Sequence, residues 1–274
     1  MKNAKWITAP TDMGQASVTF QKQIILKKPI KKATLKCTCM GLYSAYIDNK
    51  KIGDSVFAPG WTTYKKRIQY KTYDVTGMLK NGSTLSFECG QGWAVGFIGH
   101  HATNHISSDR VCAIATLKVE YVNGKTEQFS TNNTWETYSN SVLFSEIYYG
   151  EIQDKTITPK FLGNAIQTQI RTTLIPQVGE DITEQERIAP IKLFITSKGE
   201  KVIDFGQNMT GYVEFKIKAK KGERISITHA EVLDKDGNFY TENYRNAKNE
   251  VKYVCSGKND VFKPKFTFQG FRYI

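Results

Sequence analysis

The chain has 274 residues, 40% of them hydrophobic and 23% charged, and its formal net charge is +12 at pH 7. This length predicts about two domains, since a single domain holds roughly 100–200 residues. No apolar run approaches the roughly 18 residues needed to cross a bilayer, so we expect no membrane partner. The first residues lack the apolar stretch of roughly 7–15 residues that a secretory signal requires, which leaves both cytoplasmic and exported locations open.

The excess of 38 Lys and Arg over 26 Asp and Glu raises the question of a polyanionic partner. The charge is scattered, however, and its densest runs, at 27–32 and 218–221, lack interleaved aromatic side chains that stack on bases. We therefore expect a solvated basic surface and no nucleic-acid partner.

The early part of the chain alternates apolar and polar residues, which is typical of strands with one buried face. In residues 33–39 the apolar positions are 33, 35, 37 and 39, and the alternation recurs at 18–20, 85–89 and 113–121. This spacing puts Cys37 and Cys39 on one face, where we expect small, reduced, structural thiols. Asn123-Gly124 is suited to a type I′ turn, and residues 47–52 predict another tight hairpin.

The strand pattern weakens between residues 157 and 190, where Pro159, Pro176 and Pro190 interrupt it. Alternation resumes from residue 202 and continues to Ile274 with no polar tail. We therefore predict an all-β protein of two antiparallel β-sandwich domains, at 1–158 and 159–274. We expect the natural chain to continue past Ile274, so that the second domain is incomplete and exposes an apolar strand edge or face.

Several long motifs resemble the N-terminal region of bacterial α-L-rhamnosidases of glycoside hydrolase family 78. In the first domain these are WITA at 6–9, GLYSAYIDNKKIGD at 41–54, APGWTTYKKR at 58–67, QYKTYDVT at 69–76, GQGW at 90–93 and IYYGE at 147–151. In the second they are DFGQNMTG at 204–211, HAEVLD at 229–234 and FTFQGFRY at 266–273. The motifs occur in the family's order and cover most of the chain.

This resemblance implies two jelly-roll-like β-sandwich domains, the second of them concanavalin-like. For the whole enzyme it implies removal of terminal α-L-rhamnose by inverting hydrolysis, with an acid and a base roughly 6.5–9.5 Å apart. In the family these residues lie in an (α/α)₆ barrel downstream. We therefore expect no catalytic residue in this chain, which alone would be inactive, and its partners would be that barrel and a rhamnose-containing glycan.

Other candidate sites have plain structural readings. The glycines of 90–96 lack the spacing of a phosphate loop, and we expect an irregular surface loop carrying Trp93 and Phe97. His100, His101 and His105 have no Cys or carboxylate that completes a zinc site. Residues 234–237 begin like a calcium loop but lack the other ligands, so we expect a hairpin turn.

Two further groups of residues carry no assigned chemistry. His229 is expected to pack on its strand. The carboxylates Glu146, Glu151 and Asp154 have no assignable acid or base role, because a sequence gives no distance between them.

The remaining cluster comprises Trp61, Tyr64 and Arg67 with the Asp48-Asn49 turn. Sugar rings stack on exposed aromatic side chains, and their hydroxyls need Asp, Asn or Arg partners, so this set is our predicted substrate-binding site. The resemblance also implies a calcium-dependent rhamnose site in which Asp48 and Asn49 would be the metal ligands beside Trp61. No cofactor is otherwise required. The structural alternative is that Trp61 is a core residue and Asp48-Asn49 only suits a turn.

Overall fold

The computed structural model describes residues 1, 3–98 and 103–274. Its regular structure is almost entirely β-strand, as predicted, with one short helix, α1 (Gly92–Val95), and 3₁₀ turns at Thr76–Met78 and Glu242–Tyr244. The strands, in chain order, are β1 (Trp6–Thr8), β2 (Val18–Gln23), β3 (Ile30–Met40), β4 (Leu42–Ile47), β5 (Lys50–Lys51), β6 (Arg67–Asp74), β7 (Thr84–Gly90), β8 (Cys112–Tyr121), β9 (Thr126–Ser130), β10 (Glu136–Ser139), β11 (Val142–Glu146), β12 (Gly150–Asp154), β13 (Phe161–Asn164), β14 (Ile166–Thr168), β15 (Thr173–Pro176), β16 (Lys192–Ile195), β17 (Lys201–Gly211), β18 (Phe215–Lys218), β19 (Arg224–Thr228), β20 (Glu250–Val254), β21 (Asn259–Phe262) and β22 (Gln269–Tyr273). Within the described residues, no helix has the length and hydrophobicity to span a membrane.

The chain forms two compact units that exchange segments. The first comprises Met1–Gly96, Asn104–Asn140 and Pro159–Thr183, and the second comprises the described residues of Phe97–Thr103 together with Ser141–Thr158 and Glu184–Ile274. They differ from the predicted contiguous division at 158/159 because β11 and β12 join the sheet of β20 through the β12–β20 pair, whereas β13, β14 and β15 pair with strands of the first unit. Proline and charge patterns do not reveal such long-range pairing.

The first unit is built from two sheets. One has the order β14-β1-β8-β3-β6-β15, with β9 also paired to β8, and the other has the order β13-β10-β2-β7-β4-β5. The predicted alternation is confirmed in β3, where Ala33, Leu35, Cys37 and Cys39 are buried. Burial of these side chains with apolar residues of the second sheet supplies the main stabilising free energy of the unit. The chain's five cysteines are all buried and free.

Two hairpins of the first unit use different turns. Asp48 and Asn49 both have positive φ, at 50° and 63°, and they join Ile47 to Lys50 in the two-residue geometry of a type I′ turn. At the β8–β9 hairpin only Gly124 has positive φ. There the amide of Tyr121 donates to the Lys125 carbonyl, which closes a three-residue loop. The type I′ prediction for Asn123-Gly124 is therefore wrong, because the extra loop residue lets a single left-handed glycine reverse the chain.

The second unit contains three smaller sheets, with the orders β11-β12-β20-β19, β16-β17-β22 and β18-β21. Tyr253 of β20 and Phe262 of β21 pack with ring centroids 4.5 Å apart, so the four-stranded and two-stranded sheets share one core. A separate cluster contains Val202, Ala230 and Tyr273.

Two strand pairs depart from the expected antiparallel arrangement. β15 runs parallel to β6, and β12 runs parallel to β20. Alternation in a sequence reports which residues face the core but not the direction of a neighbouring strand. Parallel partners need a long connection, and here each pair is separated by about a hundred residues that include other strands.

Candidate carbohydrate-binding site

The exposed Trp61 stacks on the half-buried Trp93 of the first unit. The rings of Trp61 and Trp93 are nearly parallel, at 7°, with centroids 6.2 Å apart. Trp61 is 62% exposed, which excludes the core reading of this residue. A large apolar ring held in solvent is suited to stacking on the C–H face of a sugar.

The loop that carries Trp61 is held by Tyr64. The Tyr64 hydroxyl donates to the Gly60 carbonyl at 2.9 Å, and its ring is buried. Burial raises the pKa of this hydroxyl above its usual value. Tyr64 therefore supports the loop and is not positioned as an exposed sugar contact.

Trp93 lies on α1, not on the irregular loop that we predicted. Gly92 begins this helix with φ at +53°, and a Cβ there would lie 2.5 Å from Cγ of Leu42. Because only glycine permits so close an approach, α1 packs directly against the start of β4. Trp93 is thereby fixed on the same side of the unit as Trp61.

The Asp48-Asn49 turn lies at the other end of the same strands. β4 pairs with β7 from Leu42↔Gly90 to Ile47↔Leu85, so α1 follows one end of this pairing and the turn follows the other. Six residues of strand span roughly 17 Å. The structure therefore does not bring the turn to the Trp61–Trp93 stack. Arg67 is exposed at the start of β6.

The Asp48 carboxylate already has hydrogen-bond donors. Oδ1 accepts from the Thr84 amide and Oδ2 from the Ser83 hydroxyl, both at 2.9 Å, and these bonds lower the pKa of Asp48. Calcium takes six to eight oxygen ligands. Within the described residues no group of three His, Cys, Asp or Glu side chains could hold a metal ion. Asp48 and Asn49 would supply two side-chain ligands at this turn, and calcium binding there stays a prediction.

A polar cavity of about 510 Å³ also lies on the first unit. Its lining includes Lys65, Arg110, Arg171, Asp109, Ser107 and Gln167. It is connected to the tryptophan stack through α1, because the carbonyl of Ala94 accepts from the amides of Ser107 and Ser108. The first unit thus carries apolar rings at the stack and hydrogen-bonding groups at the cavity.

The other candidate residues have structural roles. His229 is buried with its ring edge against Phe271, and burial lowers its pKa to about 4. Asp234 accepts bonds from the amides of Asp236 and Asn238, which confirms a turn. His105 is exposed beside the cavity. His100 and His101 lie outside the described residues.

Glu146 and Glu151 are both buried in the second unit, and burial raises the pKa of each to about 7. Glu146 accepts from the amide of Phe97, and Glu151 accepts from the amides of Lys265 and Phe266. Because backbone groups occupy both carboxylates and solvent does not reach them, neither is placed to meet a substrate.

Comparison with known proteins assigns the family. The α-L-rhamnosidase N-terminal domain family matches residues 28–193, and the bacterial α-L-rhamnosidase concanavalin-like domain matches residues 195–274. The chain belongs to the α-L-rhamnosidase family. Both matches follow the order that the motifs predicted, and the first includes 159–183, as does the first compact unit.

Individual α-L-rhamnosidases agree with this assignment. The Streptomyces avermitilis enzyme is 31% identical over 261 residues, which are 90% of this chain and 25% of the relative. An Alteromonas sp. enzyme is 32% identical over 92% of this chain and 29% of its own length. The crystal structure of the Aspergillus terreus enzyme has a TM-score of 0.92 at 28% identity, covering 99% of this chain and 33% of that one. The chain thus spans about a quarter to a third of the length of these three α-L-rhamnosidases.

Sequence reasoning found Trp61 but missed its partner and the cavity. Trp93 was assigned to an irregular loop, and its position follows from Gly92, whose close approach to β4 has no signal in the sequence. Lys65, Arg110 and Arg171 are far apart in the chain. The pairing of β1 with both β14 and β8, together with that of β15 with β6, brings their segments together.

Proposed function

We propose that this chain is the non-catalytic N-terminal part of an α-L-rhamnosidase that removes terminal α-L-rhamnose with inversion. Two family matches in sequence order and the quarter-to-third coverage of the relatives support this proposal. The substrate would be a rhamnose-containing glycan. The S. avermitilis relative is described in complex with L-rhamnose.

The hydrolytic chemistry is assigned to a partner, the (α/α)₆ barrel of the same protein. Inversion needs an acid and a base on opposite sides of an accessible sugar, with room for water between them. The carboxyl groups with raised pKa values, Glu146 and Glu151, are buried and bound by backbone amides. The β-domains would therefore support the barrel and hold the glycan.

Turnover of nitrophenyl α-L-rhamnoside tests the non-catalytic role. We expect the purified 274-residue chain to release no nitrophenol above buffer. Release that co-purifies with the chain and disappears in Glu146→Gln or Glu151→Gln would overturn the assignment.

Carbohydrate binding is the second proposed role, and the exposed Trp61 ring, stacked on Trp93, supports it. Calorimetry with L-rhamnose is expected to give saturable heat that Trp61→Ala removes. A parallel titration with calcium tests Asp48 and Asn49 as ligands: heat that requires calcium and is lost in Asp48→Asn would support the metal site, and equal heat with and without a chelator would reject it.

A further inference from the structure

The cavity of the first unit has the size and construction of a ligand site. Its volume of about 510 Å³ lies within the range of roughly 300–1,000 Å³ that small-molecule sites occupy. Three segments form it: the region of Tyr64 and Lys65, residues 105–112, and residues 166–171.

Hydrogen bonds fix each of these segments. The His105 amide donates to the Val95 carbonyl at 2.9 Å, and the Thr8 hydroxyl donates to the Val111 carbonyl at 2.9 Å. The Thr172 hydroxyl donates to the Tyr64 carbonyl at 2.6 Å. The walls are therefore preformed, and a ligand would not have to order them.

The residues that line the cavity carry more positive than negative charge. Lys65, Arg110 and Arg171 carry positive charge, and Asp109 is the carboxylate among the lining residues. In the part of the chain that the structure describes, no hydrogen bond or ion pair engages the charged groups of these three cations. The remaining polar groups include Ser107, Ser108, Gln167, Thr168 and Gln169.

We propose that this cavity binds an anionic sugar residue, carrying a carboxylate or a sulfate ester. Guanidinium groups bind such oxyanions with paired hydrogen bonds. The hydroxyl and amide groups of Ser107, Gln167 and Thr168 are suited to the sugar hydroxyls. Since α1 carries Trp93 and anchors Ser107, a glycan with its neutral ring on the tryptophan stack would reach the cavity with a neighbouring residue. The inference rests on the proposed glycan-binding role and adds a charge requirement to it.

Calorimetry on the whole chain with sodium D-glucuronate, D-glucose 6-sulfate and neutral D-glucose tests this inference. We expect saturable heat with at least one anionic sugar and none with glucose. Binding of glucuronate alone assigns a carboxylate ligand, and binding of the 6-sulfate alone assigns a sulfate ester. The affinity should fall as sodium chloride rises, because salt screens the charges.

The double variant Arg110→Gln/Arg171→Gln should bind at least tenfold more weakly. The matched control Lys31→Gln/Lys125→Gln removes two exposed charges from the same unit outside the cavity and should stay within twofold of the unmodified chain. Arg110→Lys/Arg171→Lys keeps both charges and should retain part of the affinity.

Equal heats with glucose and glucuronate, no heat with either anion, or equal losses in the control and the glutamine pair would each overturn the inference. Equal losses in the glutamine and lysine pairs would support the paired guanidinium hydrogen bonds, because the lysine pair keeps both charges but cannot form them. The L-rhamnose titration with Trp61→Ala reports separately on the tryptophan stack, so failure of the neutral-sugar role and failure of the anionic site are distinguishable.

Discussion

The indole rings of Trp61 and Trp93 lie parallel at 6.2 Å between centroids, although 32 positions separate them in the sequence. One ring is on the loop held by Tyr64 and the other on the helix held by Gly92. Trp93 packs against the core, whereas Trp61 is mostly exposed and presents its ring to solvent. The stack is therefore available for a ligand.

Trp61→Ala should reduce affinity for L-rhamnose about tenfold or more while leaving the melting temperature nearly unchanged. Removal of a stacking ring costs binding free energy, whereas loss of an exposed side chain costs little folding free energy. Calorimetry and thermal unfolding measure the two effects. Phe161→Ala, which removes another exposed aromatic ring of the same unit, serves as the control and should leave the affinity unchanged.

Alternation identified the strands of the first unit because each has one buried face. The same pattern could not show that β6 and β15, or β12 and β20, run parallel, since face and direction are independent properties of a strand. The tight hairpin predicted at residues 47–52 is present with a type I′ turn at Asp48-Asn49, whereas the type I′ turn predicted at Asn123-Gly124 is not.

For the site, composition indicated Trp61 as an aromatic candidate but placed it beside Asp48-Asn49. The register of β4 on β7 separates the two by the length of the strand. Register and close glycine contacts are tertiary properties, so the pairing with Trp93 required the structure.

Gly150→Ala should destabilise the second unit by at least about 2 kcal/mol. Gly150 has φ at +85°, and a Cβ there would lie 1.7 Å from the Glu250 carbonyl oxygen. The parallel contact between β12 and β20 leaves no room for a shift.

Gly237→Ala is a matched control, since φ is +79° and no atom lies within 4 Å of the added Cβ. It should cost about 1–2 kcal/mol from strain alone. Equal losses in urea unfolding would argue against the steric explanation.

Because of Glu151, we expect the free energy of unfolding to fall as pH rises from about 4.5 to about 7. Burial raises its folded-state pKa from the usual 4.5 to about 7. The unfolded state therefore releases its proton first, and the favourable contribution is complete below pH 4.5 and disappears as pH rises through the folded pKa. At about 1.4 kcal/mol per pH unit between the two pKa values, the effect is about 3 kcal/mol.

Urea unfolding between pH 4 and pH 8 measures this dependence. Glu151→Gln should remove about 3 kcal/mol of the change over that interval, because the amide does not titrate. Glu146, whose pKa burial also raises to about 7, should keep its own contribution in this variant. The exposed Glu242→Gln should leave the slope as it is in the unmodified chain. An unchanged slope in Glu151→Gln would assign the pH dependence to other groups.

We expect the purified chain to self-associate through strand β16. Leu193 and Ile195 of this edge strand, with Ile191 just before it, form an alternating row and are 68%, 66% and 69% exposed. An exposed apolar edge has unpaired backbone groups and apolar side chains that a second edge can cover. Leu193→Lys places a charge in the middle of this row and should lower the apparent mass in light scattering at high protein concentration. Ile25→Lys changes an isolated exposed apolar residue and should leave the mass unchanged. If both variants associate like the unmodified chain, β16 does not mediate the contact, and if the unmodified chain is monomeric throughout, the edge is too short to support association.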